Sequence, residues 1–249
     1  MVVPMLHIYS NATKIVRMIY TMVIAFVATF YPRIAYYIQN DKRNESDKLV
    51  EKGFDIILLI ALPCAFGLMS TAKYIILILF GNQYMNSIPV LKVSSGLVFV
   101  FSVAYLLGHV ILMASGQEKY ILKATIIGAI LNAILNTCLI PKYAENGAII
   151  ASVMSEVTVT SVLIFYSRKN FSISKDKSFV GSIGLSILLM IIGIAGVKKY
   201  FLFTNSIVFQ FIEIILVAVL IYGVTLILTR NKLLIEAKNL IVRKILGRR

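Results

Sequence analysis

Residues 121–140 read ILKATIIGAILNAILNTCLI, an apolar run whose single charge is Lys123. As a helix it would rise about 30 Å, which is the thickness of a bilayer's hydrocarbon core. The surrounding chain cannot cover such a run in water. Of its 249 residues 59% are hydrophobic and only 14% are charged, with mean hydropathy +0.88, where a soluble domain has about a quarter of its residues charged. Working outward, runs of the same character lie near 12–38, 54–69, 88–113, 148–166, 179–197 and 206–228. In lipid the backbone must satisfy its own polar groups, so these runs are helices. The alternating ten-residue segments of a membrane barrel do not occur. The expected fold is an all-α integral membrane bundle of about seven transmembrane helices over residues 1–231. A basic amphipathic tail at 232–249, with Leu233, Leu234, Leu240 and Ile241 on its apolar side, would lie on the membrane surface. The segment 72–80 is too short to cross; it extends the second helix or lies at the interface.

The 25 Lys and Arg residues are piled into every second gap. Arg33, Lys42, Arg43, Lys48 and Lys52 follow the first run, and Lys119 and Lys123 follow the third. Arg168, Lys169, Lys175 and Lys177 follow the fifth, and the tail carries Arg230 through Arg249. The opposite side holds only Lys14, Arg17, Lys73, Lys92, Lys142, Lys198 and Lys199. Positive charge marks the cytoplasmic side, so the C-terminus is predicted inside and the N-terminus outside. The first ten residues have no basic region ahead of an apolar one, so they do not read as a secretory signal. An outside N-terminus without a signal suits a chain that another helix would normally precede.

Composition also excludes several chemistries. The net charge of +14 adjoins apolar runs, where topology and anionic lipid account for it; no soluble basic patch interleaved with aromatics points to nucleic acid. Cys64 and Cys138 stand alone in apolar runs, with neither metal-ligand spacing nor a disulfide framework. No glycine-rich phosphate loop, paired-aspartate motif or Ser–His–Asp set is present. The chain is therefore expected to be no enzyme, with no metal and no cofactor.

Tyr9-Ser10-Asn11-Ala12-Thr13-Lys14-Ile15-Val16-Arg17 opens the first run, which ends Phe30-Tyr31-Pro32-Arg33-Ile34. Leu62-Pro63 and Gly67 follow, then Ala72-Lys73 and Leu79-Phe80-Gly81-Asn82-Gln83-Tyr84. Later come Ala114-Ser115-Gly116-Gln117, Ile140-Pro141 and Asn146-Gly147-Ala148. This series resembles the C-terminal half of the polysaccharide flippases, the O-antigen and capsule repeat-unit transporters of the multidrug/oligosaccharidyl-lipid/polysaccharide exporter superfamily. The resemblance is carried by residues 9–169. It implies a multi-pass protein of the bacterial cytoplasmic membrane that moves undecaprenyl-diphosphate-linked oligosaccharides for surface polysaccharide biosynthesis. Its partners would be that lipid-linked substrate, the bilayer, and a missing N-terminal half or other assembly proteins. The seven runs would match helices eight to fourteen of a 14-helix member. A multidrug or cation antiporter of the same superfamily, and a membrane enzyme such as a polymerase, are the alternatives.

A diphosphate-sugar headgroup asks a cavity for cations and hydrogen-bonding groups. Polar residues inside spans are costly and mark such cavities. Lys14 and Arg17 are three apart on one helix face, against the charge trend. They either bind phosphate or snorkel to the interface; by resemblance to the lipid II flippases, Lys14 is the closer match to a cavity cation. Asn132 and Asn136, four apart, bind sugar hydroxyls or bond between helices. His109 shares a face with Ser102 and Tyr105 and serves a proton-coupled step or packing. Glu156 shares a face with Ser152 and Thr160 and either pairs with Lys14 or Arg17 or couples an ion.

Overall fold

The computed structural model describes residues 5–168, 171, 177–200, 206–229, 231, 233 and 235. Two compact units divide the chain, residues 1–174 and 175–249. All regular elements among the described residues are helices, and six of them are long and apolar enough to cross a membrane.

The first unit begins with α1, Met5–Ala28, and α2, Tyr31–Gln39. They form one nearly continuous span with a tightened turn at Thr29 and Phe30, whose N–H groups reach back three residues to Phe26 and Val27. Pro32 explains the interruption. It stands at the start of α2, where its missing N–H costs least. The next helix, α3, runs unbroken from Arg43 to Leu79, so residues 72–79 extend the second span. Gly81 (φ 84) then turns the chain in a conformation that glycine adopts without strain. The third span comprises α4, Ser87–Ser94, α5, Leu97–Tyr105, and a π-helical stretch, Leu106–Leu112. In that stretch the Met113 N–H bonds the Gly108 carbonyl, five residues back.

α6, Glu118–Ser167, is 50 residues long. A straight helix of that length would measure about 75 Å, more than twice the hydrocarbon core. It is broken at Ala144, where φ is 49 and ψ −129. The two arms fold back on each other. A Cβ on Gly147 would strike the Leu139 carbonyl, and one on Gly128 would strike Val159. The Tyr120 and Tyr166 rings stack at 4.2 Å. Each of these pairs is centred within half a residue of position 143, which is the signature of an antiparallel hairpin. Counted as two crossings, the arms give the seven that the apolar runs predict.

The core of this unit is aliphatic and small. Ala12, Val16, Ile57, Ala61, Val98, Leu106 and Ala124 are all buried in it. By contrast Met22, Phe26, Ile130 and Ile134 are more than half exposed. A soluble protein would not tolerate so much apolar surface, but acyl chains solvate it. Serine and threonine hydroxyls bond back to carbonyls three or four residues earlier throughout, which satisfies their donors within the helix.

The second unit is a helix pair, α7, Lys177–Tyr200, and α8, Ile207–Leu228. They approach closely at Gly193, where a Cβ would strike Ile221. Asn231, just past α8, donates to Ser182 Oγ at 2.8 Å and ties the end of α8 to the start of α7. Most of the basic tail expected at 232–249 lies outside the described residues.

Candidate functional site

Within the first unit α1, α5 and the two arms of α6 enclose a cavity of about 380 Å³. Arg17, Asn132 and Glu156 line it, one from each of α1 and the two arms, with Tyr9, Thr13, Thr125, Ser152 and Ser155. Close helix approach makes the shape possible. Gly128 and Ala129 bring the first arm against Ser155 and Val159 of the second, and any larger residue at 128 would meet Val159.

The hydrogen bonds of the lining residues sort them into donors and acceptors. Thr13 donates to the Tyr9 and Ser10 carbonyls. Thr125 donates to Ile121, Ser152 to Ala148 and Ser155 to Ala151, at 2.7–3.0 Å. Each hydroxyl proton is therefore spent on its own helix, and only the oxygen lone pairs face outward. Since Ser152 already donates, the 3.0 Å bond between Tyr9 and Ser152 has the phenol as donor, and it ties α1 to the second arm. The Asn136 amide donates to Asn132 Oδ1 at 2.8 Å, so Asn132 is left to offer its own N–H groups. Arg17 adds a guanidinium, which can only donate. One cavity thus carries a cation and an amide as donors, hydroxyl oxygens as acceptors, and the Glu156 carboxylate. Arg17 and Glu156 share the lining, with no ion pair between them among the described residues.

The other sequence candidates fall elsewhere. Lys14 is exposed and is not part of the lining, although it is one turn from Arg17. Asn136 supports Asn132 from the turn below, and its own Oδ1 is buried without a hydrogen bond among the described residues. His109 is exposed and stacks on Tyr105, ring centroids 4.9 Å apart and nearly parallel; both lie at the π-helical stretch. The lining residues not singled out beforehand are Tyr9, Thr13, Thr125 and Ser155. Their signal was in the spacing, since 9, 13 and 17 fall at every fourth position, as do 125 and 129, and 155 and 159.

A family model described as the lipid II flippase MurJ matches residues 5–222. The chain belongs to the MurJ flippase family. It shares its fold with a solved lipid II flippase MurJ in an inward closed conformation, with a TM-score of 0.74 and 19% identity over 91% of this chain and 47% of that one. Among curated relatives, a probable low-salt glycan biosynthesis flippase, Agl15, of Haloferax volcanii is 25% identical over 206 residues, 83% of this chain and 43% of that protein. The putative O-antigen transporter of Escherichia coli K12 is 27% identical over 140 residues, 56% of this chain and 34% of the relative. The capsular polysaccharide biosynthesis protein CapF of Staphylococcus aureus is 28% identical over 141 residues, 56% of this chain and 35% of CapF. The chain spans less than half the length of these relatives.

Proposed function

We propose that this chain takes part in moving undecaprenyl-diphosphate-linked oligosaccharides across the cytoplasmic membrane for surface polysaccharide biosynthesis. It would work as part of a transporter whose remaining helices come from further sequence or another chain. The observation that supports this reading most is the composition of the cavity. The Arg17 guanidinium suits a phosphate bidentately, and the Asn132 amide adds a second donor. The hydroxyl oxygens that have already spent their protons suit the sugar hydroxyls of a glycan. Arg17 is exposed within the lining, so an anion entering the cavity can reach it. The relatives' names also point to flipping rather than to catalysis. In this reading the N-terminus faces outside and the C-terminus faces the cytoplasm.

Glu156 supports the second reading, a multidrug or cation antiporter, because an acid in the cavity suits a cationic cargo. The test is surface polysaccharide output in a flippase-null bacterial strain. Supplied together with the N-terminal helices of a related flippase, the chain should restore export, and its Arg17→Ala variant should not. Full rescue by the Arg17→Ala variant would overturn the anion-binding role, and a gain in dye or drug efflux without rescue would favour the antiporter.

A further inference from the structure

A sugar ring has two kinds of surface: an edge that carries hydroxyls and a face of apolar C–H groups. The hydroxyl oxygens and the Asn132 amide of the cavity answer only the first. The wall beside them carries rings. Phe101 of α5 lines the cavity, and the Tyr20 ring of α1 leans on it, with centroids 5.3 Å apart and planes tilted by 53°. Arg17 and Leu97, one turn earlier on the same two helices, are both in the lining, so this ring pair continues the wall by a turn. At about 100° per residue Tyr20 falls on the stripe of α1 that holds Tyr9 and Thr13, both lining residues; the exposed Met18 and Met22 mark the other side. Beyond Phe101 come Tyr105 and His109, each four residues further along the third span. Their rings are parallel within 9° and 4.9 Å apart. A spacing of four drifts by about 40° per step on an α-helix, but the wider π turn rotates less per residue and holds His109 over Tyr105. Residues 106–108 and 110–112 of that stretch are all buried, and His109 alone among them is exposed.

We propose that Tyr20, Phe101, Tyr105 and His109 form a sugar-stacking subsite, which takes the C–H face of a pyranose in a lipid-linked glycan. The inference rests on the glycan-carrying reading given above and adds where the sugar rings lie. The face of an aromatic ring is negative, and the C–H groups of a sugar, polarised by its oxygens, are drawn to it. Each such contact is weak, and four rings in a strip add them up. The tyrosine hydroxyls and imidazole nitrogens stand at the ring margins and can hydrogen-bond the hydroxyls at the edge of the same sugar. An acyl chain has no use for such polar margins, and the Met18 and Met22 side of α1 suits it better. Spacing along α1 agrees with the chemistry. Tyr20 is three residues from Arg17, about 4.5 Å along the helix axis, and in the proposed substrate the diphosphate is joined directly to the first sugar. A phosphate at Arg17 therefore leaves that sugar within reach of the rings.

The test is a pair of titrations into the full chain in phosphatidylcholine nanodiscs, one with undecaprenyl diphosphate and one with undecaprenyl-diphosphate-linked N-acetylglucosamine. The variants are Tyr20→Leu and His109→Leu, which remove a ring, and Tyr20→Phe and His109→Phe, which keep one. The wild type should bind the sugar-bearing ligand about tenfold tighter than the bare diphosphate. Each leucine variant should lose about fivefold on the sugar-bearing ligand and stay within about twofold on the bare one, which also reports that the variant is folded. Each phenylalanine variant should stay within about twofold of wild type on both. If the wild type prefers the sugar-bearing ligand and the leucine variants keep that preference in full, the glycan reading stands and the ring subsite falls. The subsite falls equally if the leucine variants weaken both ligands alike, as a structural or acyl-chain contact would, or if phenylalanine fails where leucine fails. If the wild type binds the two ligands equally, or binds neither, the glycan-carrying reading falls and takes the subsite with it.

Discussion

Lys14 and Arg17 show how much one turn of helix decides. Both break the charge trend, both are near the start of the first span, and the sequence treats them as a pair. Both are exposed, but the structure puts Arg17 in the cavity lining and leaves Lys14 outside it. Three residues apart is a rotation of about 60° from perfect alignment, which is enough to put one side chain into a cavity and leave its neighbour at the rim. In a reconstituted transporter carrying this chain, Arg17→Ala should lower the flipping rate at least about tenfold. Lys14→Ala should stay within about twofold. Transfer of a fluorescent lipid-linked oligosaccharide in liposomes checks both. Tyr9 offers a smaller perturbation. Tyr9→Phe removes the donor to Ser152 and should cost about 0.5–1.5 kcal/mol, read as a lower unfolding temperature in detergent.

At the level of elements, two of the glycines that admit close approach, Gly147 and Gly193, differ in what they face. Gly147 faces the backbone carbonyl of Leu139 across the turn of the α6 hairpin, whereas Gly193 faces the far end of the Ile221 side chain. A backbone atom cannot move aside without opening the turn; a side-chain tip can. Gly147→Ala should therefore destabilise by about 1–3 kcal/mol. Gly193→Ala should cost less, and Ile221→Val, which removes the offending methyl group, should recover most of the loss. Thermal unfolding of the unsubstituted chain, Gly147→Ala, Gly193→Ala and Gly193→Ala with Ile221→Val in one detergent checks the ordering. The helices themselves were legible in the sequence because lipid demands long apolar runs. The breaks were not. Nothing in the hydropathy of residues 106–112 signals a π-helical stretch, and Pro141 and Gly147 bracket the α6 turn without showing that its arms pack face to face. The cavity was half legible for a related reason. Arg17, Asn132 and Glu156 stand out by polarity, while Thr13, Thr125 and Ser155 look like ordinary hydroxyl residues satisfying their own helices, and that is what makes them acceptors.

For the whole molecule the governing pattern is the distribution of positive charge. By the positive-inside rule it predicts a cytoplasmic α2–α3 junction, and the exposed Asn44 lies just past that junction. A single cysteine introduced at Asn44, with Cys64 and Cys138 replaced, should resist a membrane-impermeant thiol reagent in intact cells and react after permeabilisation. Labelling in intact cells would invert the topology and with it the direction in which the cavity is read. Charge can predict an orientation because it acts on each gap independently. It could not supply the packing of one helix on another, which depends on small residues meeting at particular turns.

The hydrogen bond from Met113 back to Gly108 has a consequence for which way the third span's side chains face. A turn that closes five residues back holds one residue more than an α-turn, so the π-helical stretch accommodates an extra residue inside a helix rather than in a loop. Every side chain beyond it is rotated by about 100° relative to an uninterrupted helix. A relative that is α-helical throughout this span should align with a one-residue gap within 106–112. Engineering that deletion here would redraw which residues of the third span face inward without shortening the membrane crossing by more than about 1.5 Å.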